Sequence, residues 1–212
     1  MKALTISINN AGKKFGREWV FRNLNQEILP GDRLVIQGGN GSGKSTLLQI
    51  ISGFISLNEG EITFKGNESI QIQDIYKQIS FASPYLQLVE DFTLREMAEH
   101  IVAYKPLISS MQINDLIKLS GLQASEHKFI KQFSSGMKQR LKIALALLCD
   151  SGLLLLDEPI SNLDAQAIDW YKNMIQEFAG DRTVIVCSNN IQNEFFFCTK
   201  HLNIEDYKLI GK

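Results

Sequence analysis

The sequence is poor in cysteine, and its three cysteines follow no recognisable pattern. Cys149, Cys187 and Cys198 are odd in number and include no C-x-x-C pair, which argues against a zinc site and a disulfide framework. A chain of 212 residues buries about 70% of the surface that its unfolded form exposes, so its core needs no disulfide. We therefore expect three small buried apolar side chains in a reducing compartment.

The chain also lacks a large excess of either positive or negative charge. The formal net charge is −1, and residues of both signs are mixed along the chain. This distribution gives no basic face of the kind that binds nucleic acid. We expect no nucleic-acid partner, although composition by itself does not exclude one.

The sequence has no long hydrophobic run. No stretch approaches the roughly 18 apolar residues that a membrane-spanning helix needs. The first residues, 1–5, lack the apolar core of a signal peptide. We expect a cytoplasmic protein, which could still sit on a membrane through a partner.

Three kinds of hydrophobic pattern succeed one another, without repeats, linkers or low-complexity stretches. Alternation at Leu4, Ile6 and Ile8 predicts half-buried antiparallel strands, and Leu153–Leu156 predicts a central parallel strand covered on both faces. Apolar residues three to four positions apart predict helices. The predicted elements include strands at 19–28, 59–66, 75–82 and 183–187, a turn at 13–16, helices at 93–104, 114–119 and 165–178, a helix from Ser134-Ser135 to Leu148, and a final helix and strand.

These patterns predict one α/β domain over residues 1–212, with a mostly parallel core sheet, an antiparallel β lobe and a helical lobe. The three parts are expected to divide the chain between them. The β lobe is predicted at about 1–30 and 59–66, the core at about 31–58, 75–91 and 149–212, and the helical lobe at about 92–148.

The chain is organised around a glycine-rich stretch that reads GGNGSGKST and fits the pattern G-x-x-x-x-G-K-[ST]. The run Leu34–Ile36 before it suits a buried strand, and 46–51 after it suits a helix. Glycines let the backbone turn with its N–H groups inward, and the helix adds its positive N-terminal end. The stretch therefore predicts a phosphate cradle. Its residues are Gly38, Gly39, Asn40, Gly41, Ser42, Gly43, Lys44, Ser45 and Thr46.

Two side chains of the cradle carry specific chemistry. Lys44 would reach the β- and γ-phosphates of a nucleotide, and the Ser45 hydroxyl would bind Mg²⁺. The alternative is a strand-to-helix turn with no ligand. That alternative leaves a lysine among several glycines without a function in packing.

Two carboxylates follow the leucine run. Asp157 and Glu158 stand at the C-terminal end of the predicted parallel strand, where ligands of open α/β sheets bind. With a phosphate loop upstream, Asp157 is the expected partner of Mg²⁺, and Glu158 is placed to orient or deprotonate an attacking water. A solvated acidic turn is the alternative.

The ordered set of motifs resembles the ATP-binding-cassette (ABC) ATPase family along nearly the whole chain. Phe133–Met137 is similar to the family's signature, and Ser161–Asp164 is similar to its D-loop. Phe15 matches the aromatic residue that stacks on adenine, although a core aromatic is the alternative.

The resemblance implies that two such domains pair head to tail around ATP and Mg²⁺. Each nucleotide would then lie between the phosphate loop of one domain and the helix start at Ser134, Ser135 and Gly136 of the other, with Asp164 nearby. The domain would be a homodimer or a paired ABC subunit when ATP is bound. It would drive separate transmembrane permease subunits, with the loop at 83–92 lining their docking groove.

The sequence departs from the family at three places. Pro84 stands where glutamine is usual, so Gln87 is the candidate for that glutamine's contact with Mg²⁺ or water, and a solvent-facing side chain is its alternative. Asn189 replaces the switch histidine; its amide donates a hydrogen bond but carries no positive charge. In the signature, Ser135 and Met137 replace the usual glycine and glutamine.

Because of these departures, two other functions stay open beside that of a transporter ATPase. One is a soluble single-cassette assembly factor that acts without a membrane partner. The other is a binding module that closes on ATP and hydrolyses it slowly or not at all. Losing one preorganised donor lowers an enzyme's rate by about 10² to 10³, so the change at Asn189 predicts slow turnover.

Overall fold

A computed structural model describes residues 3–66 and 68–208 of the chain. These residues form two compact units. The first unit comprises the residues up to 79 together with 151–158 and those from 181 onward, and the second comprises 80–150 and 159–180. The ends of the predicted domain, residues 1–2 and 209–212, lie outside the described residues, and the predicted lobe boundaries stay a prediction.

The strands and helices alternate along much of the chain. The strands are β1 (Thr5–Phe15), β2 (Glu18–Ile28), β3 (Arg33–Gln37), β4 (Glu59–Lys65), β5 (Ser69–Ile70), β6 (Ile79–Ala82), β7 (Leu153–Asp157), β8 (Thr183–Ser188) and β9 (Lys200–Asn203). The helices are α1 (Lys44–Ile51), α2 (Leu94–Tyr104), α3 (Ile113–Ser120), α4 (Ser135–Leu148), α5 (Ala165–Phe178) and α6 (Gln192–Phe195). Short 3₁₀ helices span Ile72–Gln78, Gln123–Ser125, Ile130–Gln132 and Ile204–Tyr207.

An antiparallel sheet of the first unit has the order β2-β1-β4-β5. Its strands confirm the alternation read from the sequence, because Leu4, Ile6 and Ile8 are all buried. The predicted turn at 13–16 is wrong, since β1 continues to Phe15 and pairs it with Glu18. Gly16 has φ 58°, a left-handed conformation that suits the tight connection between paired strands.

A parallel sheet of the same unit contains β7, β8, β3 and β9 side by side in that order. Every residue of β7 is buried, as expected for a parallel strand covered on both faces. The register pairs Asp157 with Cys187 and Gln37 with Ser188. The carboxyl ends of β7, β8 and β3 therefore meet at one edge of the sheet.

The strand predicted at 75–82 is confirmed in its second half and wrong in its first half. Only Ile79–Ala82 is extended, and Ile72–Gln78 before it is a 3₁₀ helix. Side chains three positions apart lie above one another in such a helix, and Asp74 accepts a hydrogen bond from Lys77 at 2.7 Å. Backbone bonds between residues three apart, such as Asp74 N–H to the Gln71 carbonyl at 2.9 Å, take the place of the ladder that a strand would need.

The second unit is mainly helical. Its predicted helices are confirmed, and side chains cap them. The hydroxyl of Thr93 accepts from the backbone of Glu96 at 3.2 Å at the start of α2, and that of Ser134 accepts from Met137 at 3.2 Å at the start of α4. No helix within the part of the chain that the structure describes is both long and apolar enough to cross a bilayer.

The cysteines behave as apolar residues at two of three positions. Cys149 and Cys187 are buried, as predicted, whereas Cys198 is only partly buried. Burial raises the pKa of the Cys198 thiol to about 12. Burial also raises the pKa of the Cys187 thiol well above its ordinary value, and the nearby charge of Asp157 acts in the same direction.

Candidate active site

The phosphate-loop residues connect β3 to α1. Gly41 and Gly43 have φ values of 71° and 107°, which residues with a side chain rarely adopt. A Cβ on Gly43 would lie 2.4 Å from Cγ1 of Val20. Gly43 is also the N-cap of α1, so the N-cap residue has no side chain that could bond the first N–H groups of that helix. The loop thus exposes backbone donors at the positive end of a helix.

Lys44 is buried inside this loop, with 4% of its surface exposed. Its Nζ donates to the carbonyl oxygens of Gly38 and Gly39, both at 2.9 Å, and to Oδ1 of Asn189 at 2.5 Å. An ammonium has three N–H donors, and three oxygen acceptors surround this one. The lysine is therefore held within the loop by polar contacts.

Ser45 and Asp157 lie next to each other. The Ser45 hydroxyl donates to Oδ1 of Asp157 at 3.1 Å, and Asp157 is only 2% exposed. A hydroxyl beside a buried carboxylate is a set of hard oxygen ligands, which Mg²⁺ prefers. These two residues fit the predicted magnesium ion.

Ser42 supports the fit of an anion. Its hydroxyl is buried, and among residues 3–66 and 68–208 it has no hydrogen-bond partner. Leaving a buried hydroxyl unpaired costs about 1 to 3 kcal/mol. A phosphate oxygen would accept a hydrogen bond from this hydroxyl, so the chemistry of the loop agrees with a nucleotide's triphosphate.

Asn189 links the lysine to a carboxylate. Its Nδ2 donates to Oε1 of Glu158 at 2.8 Å and to Oδ1 of Asn40 at 2.6 Å, while its Oδ1 accepts from Lys44. The sequence predicted a hydrogen-bond donor at Asn189 but not this bridge. The Asn189 amide therefore contacts both Lys44, which is expected to bind the phosphates, and Glu158, which is expected to activate the attacking water.

Glu158 has an unusual backbone. Its φ is 43°, in the left-handed region that is uncommon for residues other than glycine. Its N–H donates to the carbonyl of Cys187 at 3.0 Å, so the neighbouring strand β8 fixes this conformation. Backbone strain of this kind is frequent at functional sites, and here it lies at the predicted water-activating residue.

Phe15 lines a pocket beside the phosphate loop. The cavity of 280 Å³ is bounded by Phe15, Trp19, Gly41 and Lys208, among others. The Phe15 ring is 56% exposed, and Nζ of Lys13 lies 5.0 Å from its centroid. The structure thus puts the predicted base-stacking ring and a loop glycine on one cavity.

The remaining candidate residues belong to the second unit. Ser134 and Asp164 are N-caps, and Asp164 accepts from the backbone of Ala167 at 2.8 Å. A Cβ on Gly136 would lie 2.9 Å from the carbonyl oxygen of Asn162, so glycine is required there for packing.

Two further candidate residues of this unit are exposed. Ser135 is the first residue of α4 and is exposed. Gln87 is exposed and lines a cavity of 540 Å³ within this unit.

Glu205 is a site neighbour that the sequence reasoning missed. Its Oε1 accepts from the backbone N–H of Gly39 at 3.0 Å. The signal was available in the strand pattern, because Glu205 follows the last parallel strand, β9, and ligands bind at the carboxyl ends of such strands. No motif marks the position.

Comparisons with known proteins place the chain among relatives in sequence and in fold. A family model described as "ABC transporter" matches residues 21–161. The lantibiotic transport ATP-binding protein SrtF of Streptococcus pyogenes is 31% identical over 191 residues, which are 89% of this chain and 81% of SrtF.

Solved structures share the fold. A putative ABC transporter ATP-binding protein from Pyrococcus furiosus matches with a TM-score of 0.79 and 20% identity, covering 97% of this chain and 100% of that chain. A dimeric ATP-binding cassette in a post-hydrolysis state bound to ADP and Pi matches with a TM-score of 0.79 and 24% identity, covering 94% and 95%. These likenesses confirm the predicted fold class and concern the fold alone.

Proposed function

Since the chain belongs to the ABC transporter family, we propose that it binds and hydrolyses Mg-ATP as the ATP-binding subunit of a transporter. The observation that carries the proposal is the polar cluster at the carboxyl edge of the parallel sheet. Lys44 follows β3, Asp157 ends β7, and Asn189 follows β8. Hydrogen bonds join this cluster to Ser45 and Glu158.

The loop residues would bind the triphosphate. Backbone N–H groups of the loop other than those of Gly39 and Ser42, together with the start of α1, would attract phosphate oxygens, and the Lys44 ammonium would neutralise part of their charge. Ser45 and Asp157 would hold Mg²⁺, which supplies further positive charge to the phosphates when it is bound. Phe15 would cover the base with its exposed face.

Glu158 would orient or deprotonate the attacking water. The amide of Asn189 donates to one carboxylate oxygen of Glu158, which holds the side chain in place and leaves the second oxygen for water. Asn189 also contacts Lys44, so the water-activating group and the phosphate-binding group keep a fixed spacing. Positioning of this kind is the main contribution of proteins to phosphoryl transfer.

A second copy or a paired subunit would complete the site. The start of α4 carries exposed Ser134 and Ser135, and a helix N-terminus suits a γ-phosphate presented by the partner's phosphate loop. A fold neighbour is described as dimeric and bound to ADP and Pi, which supports such pairing here. The pair would close on ATP and loosen after hydrolysis.

The membrane partner would dock on the second unit. The cavity of 540 Å³ lined by Tyr85, Leu86 and Leu88 also carries Glu90 and Lys138, so it offers both apolar and charged contacts. Tyr85 is 77% exposed. The name of SrtF, a lantibiotic transport ATP-binding protein, supports a transport function for this chain too. We propose separate permease subunits at the inner face of a membrane as the partners.

Steady-state hydrolysis tests the proposal. The purified chain is expected to release phosphate from ATP at a rate that saturates with ATP and falls to background when EDTA removes Mg²⁺. Gel filtration with ATP should show a species of twice the monomer's mass. ATP binding without hydrolysis would show that the chain is an ATP-gated binding module and not an ATPase. Absence of ATP binding would refute both of these functions.

Asn189→His is expected to raise the maximal rate of ATP hydrolysis. An imidazolium can stabilise charge that develops on the γ-phosphate, whereas an amide offers only a neutral donor. The expected gain in rate is about 10-fold. This is less than the factor of about 10² to 10³ in rate that an enzyme loses when one preorganised donor is removed. Maximal rates measured between pH 6 and 8 check it, with Asn190→His as the neighbouring control. An unchanged or lower rate would show that Asn189 does not occupy the role of the switch histidine.

A further inference from the structure

The segment Ile204–Lys208 packs on the phosphate loop. Oε1 of Glu205 accepts from the Gly39 N–H at 3.0 Å. A Cβ on Gly38 would lie 2.9 Å from Cγ2 of Ile204, and Lys208 lines the cavity that Gly41 also borders. The segment therefore touches the first glycines of the loop directly and borders its far side.

The sheet explains why these distant residues meet. Strands β3 and β9 are parallel neighbours, and their register pairs Gln37 with Asn203. The next residues, Gly38 and Ile204, therefore leave the sheet at the same edge. Asn203 then turns the chain, because its side chain accepts from the backbone of Glu205 at 3.3 Å and donates to Asp206 at 2.9 Å.

The contact reaches Lys44 through one residue, Gly39. Gly39 donates its N–H to Glu205, and its carbonyl oxygen accepts from Nζ of Lys44 at 2.9 Å. A hydrogen bond to an ionised acceptor is stronger than one between neutral groups, so Glu205 restricts the orientation of the Gly39 residue. The carboxylate also places a negative charge beside a loop that would receive phosphates, which opposes their binding.

We propose that Glu205 is a positioning residue of the nucleotide site, which holds the phosphate loop in its binding conformation through the Gly39 N–H. The inference rests on the proposed function of this loop. Glu205 has two effects of opposite sign on ATP affinity: the hydrogen bond preorganises the loop, and the charge repels phosphates. Substitutions can separate the two.

The substitutions Glu205→Gln and Glu205→Ala separate the effect of the hydrogen bond from the effect of the charge. Both remove the charge, but only the glutamine keeps an oxygen acceptor of the same reach. The dissociation constant of a non-hydrolysable ATP analogue with Mg²⁺, measured by calorimetry, is expected to be about 3- to 10-fold larger for the alanine than for the glutamine variant. The glutamine variant should bind slightly more tightly than the unmodified chain, by about twofold at low salt, and this gain should vanish at high salt.

Asp206→Asn is the matched control. It removes the same charge one residue further along and keeps an oxygen that can accept from Asn203, so its dissociation constant should stay within about twofold of the unmodified chain. Thermal unfolding of all variants tests whether the substitutions act on the fold, and Glu205→Ser replaces the alanine variant if that one does not fold. Its expected affinity is likewise below that of the glutamine variant.

Two failures are distinguishable. If the unmodified chain binds the analogue, Lys44→Ala does not, and the two Glu205 variants differ by less than about twofold, the positioning role is refuted and the proposed function stands. If the unmodified chain does not bind the analogue at all, the proposed function itself fails.

Discussion

Lys44→Ala is expected to weaken ATP binding by on the order of 100-fold or more, because the ammonium is the one side-chain cation that the structure holds within the phosphate loop itself, among residues 38–46. The loop would keep its backbone donors, but the triphosphate would lose a partner of full positive charge. Removing a buried charged partner typically costs about 2 to 5 kcal/mol of binding free energy. Calorimetry with a non-hydrolysable ATP analogue and Mg²⁺ measures the change.

Lys65→Ala is the control for the loss of one positive charge. Lys65 is an exposed residue of β4, so its replacement should leave the dissociation constant within about twofold. The unfolding temperature of the Lys44 variant must also be compared with that of the unmodified chain, since Nζ of Lys44 stabilises two loop carbonyls. A folded Lys44→Ala protein that retains its affinity for ATP would refute the nucleotide site.

The phosphate loop and the leucine strand were predictable because local sequence determines both. The second glycine of the pattern, Gly43, adopts a positive φ angle, so the pattern encodes that requirement directly; Gly41, at a variable position of the pattern, has a positive φ as well. The leucines before Asp157 can be buried on both faces only in a parallel strand, so the carboxylate had to emerge at the ligand-binding edge. Pattern and position then predicted a shared Mg²⁺ for Ser45 and Asp157, and the structure places the two side chains next to each other.

Contacts across long sequence distances were not predictable in the same way. The hydrogen bond from Gly39 to Glu205 depends on the register between β3 and β9, and no periodicity in the sequence reports which strands are neighbours. The bridge that Asn189 forms between Lys44 and Glu158 depends on side-chain orientation as well. Sequence patterns thus singled out Lys44, Glu158 and Asn189 but not Glu205, while the sheet topology decided which of these groups meet.

Glu158→Gln is expected to lower the rate of ATP hydrolysis by about 10² to 10⁴ and to leave ATP affinity nearly unchanged. Glutamine has the same shape, and its carbonyl oxygen can still accept from Nδ2 of Asn189, so the geometry around Lys44 is kept. What is lost is the basic oxygen that would take a proton from water. The substitution therefore separates hydrolysis from binding.

Three measurements on the Glu158→Gln variant decide the role: the maximal rate, the dissociation constant of ATP, and the mass in solution with ATP. Slow hydrolysis with retained affinity should make the ATP-bound pair accumulate, because the step that loosens it is blocked. Glu177→Gln, an exposed position on α5, controls for the loss of one carboxylate. A variant that keeps more than about a tenth of the unmodified rate would contradict a general-base role, since the remaining carboxylate of the pair, Asp157, would then have to supply that function while also holding Mg²⁺.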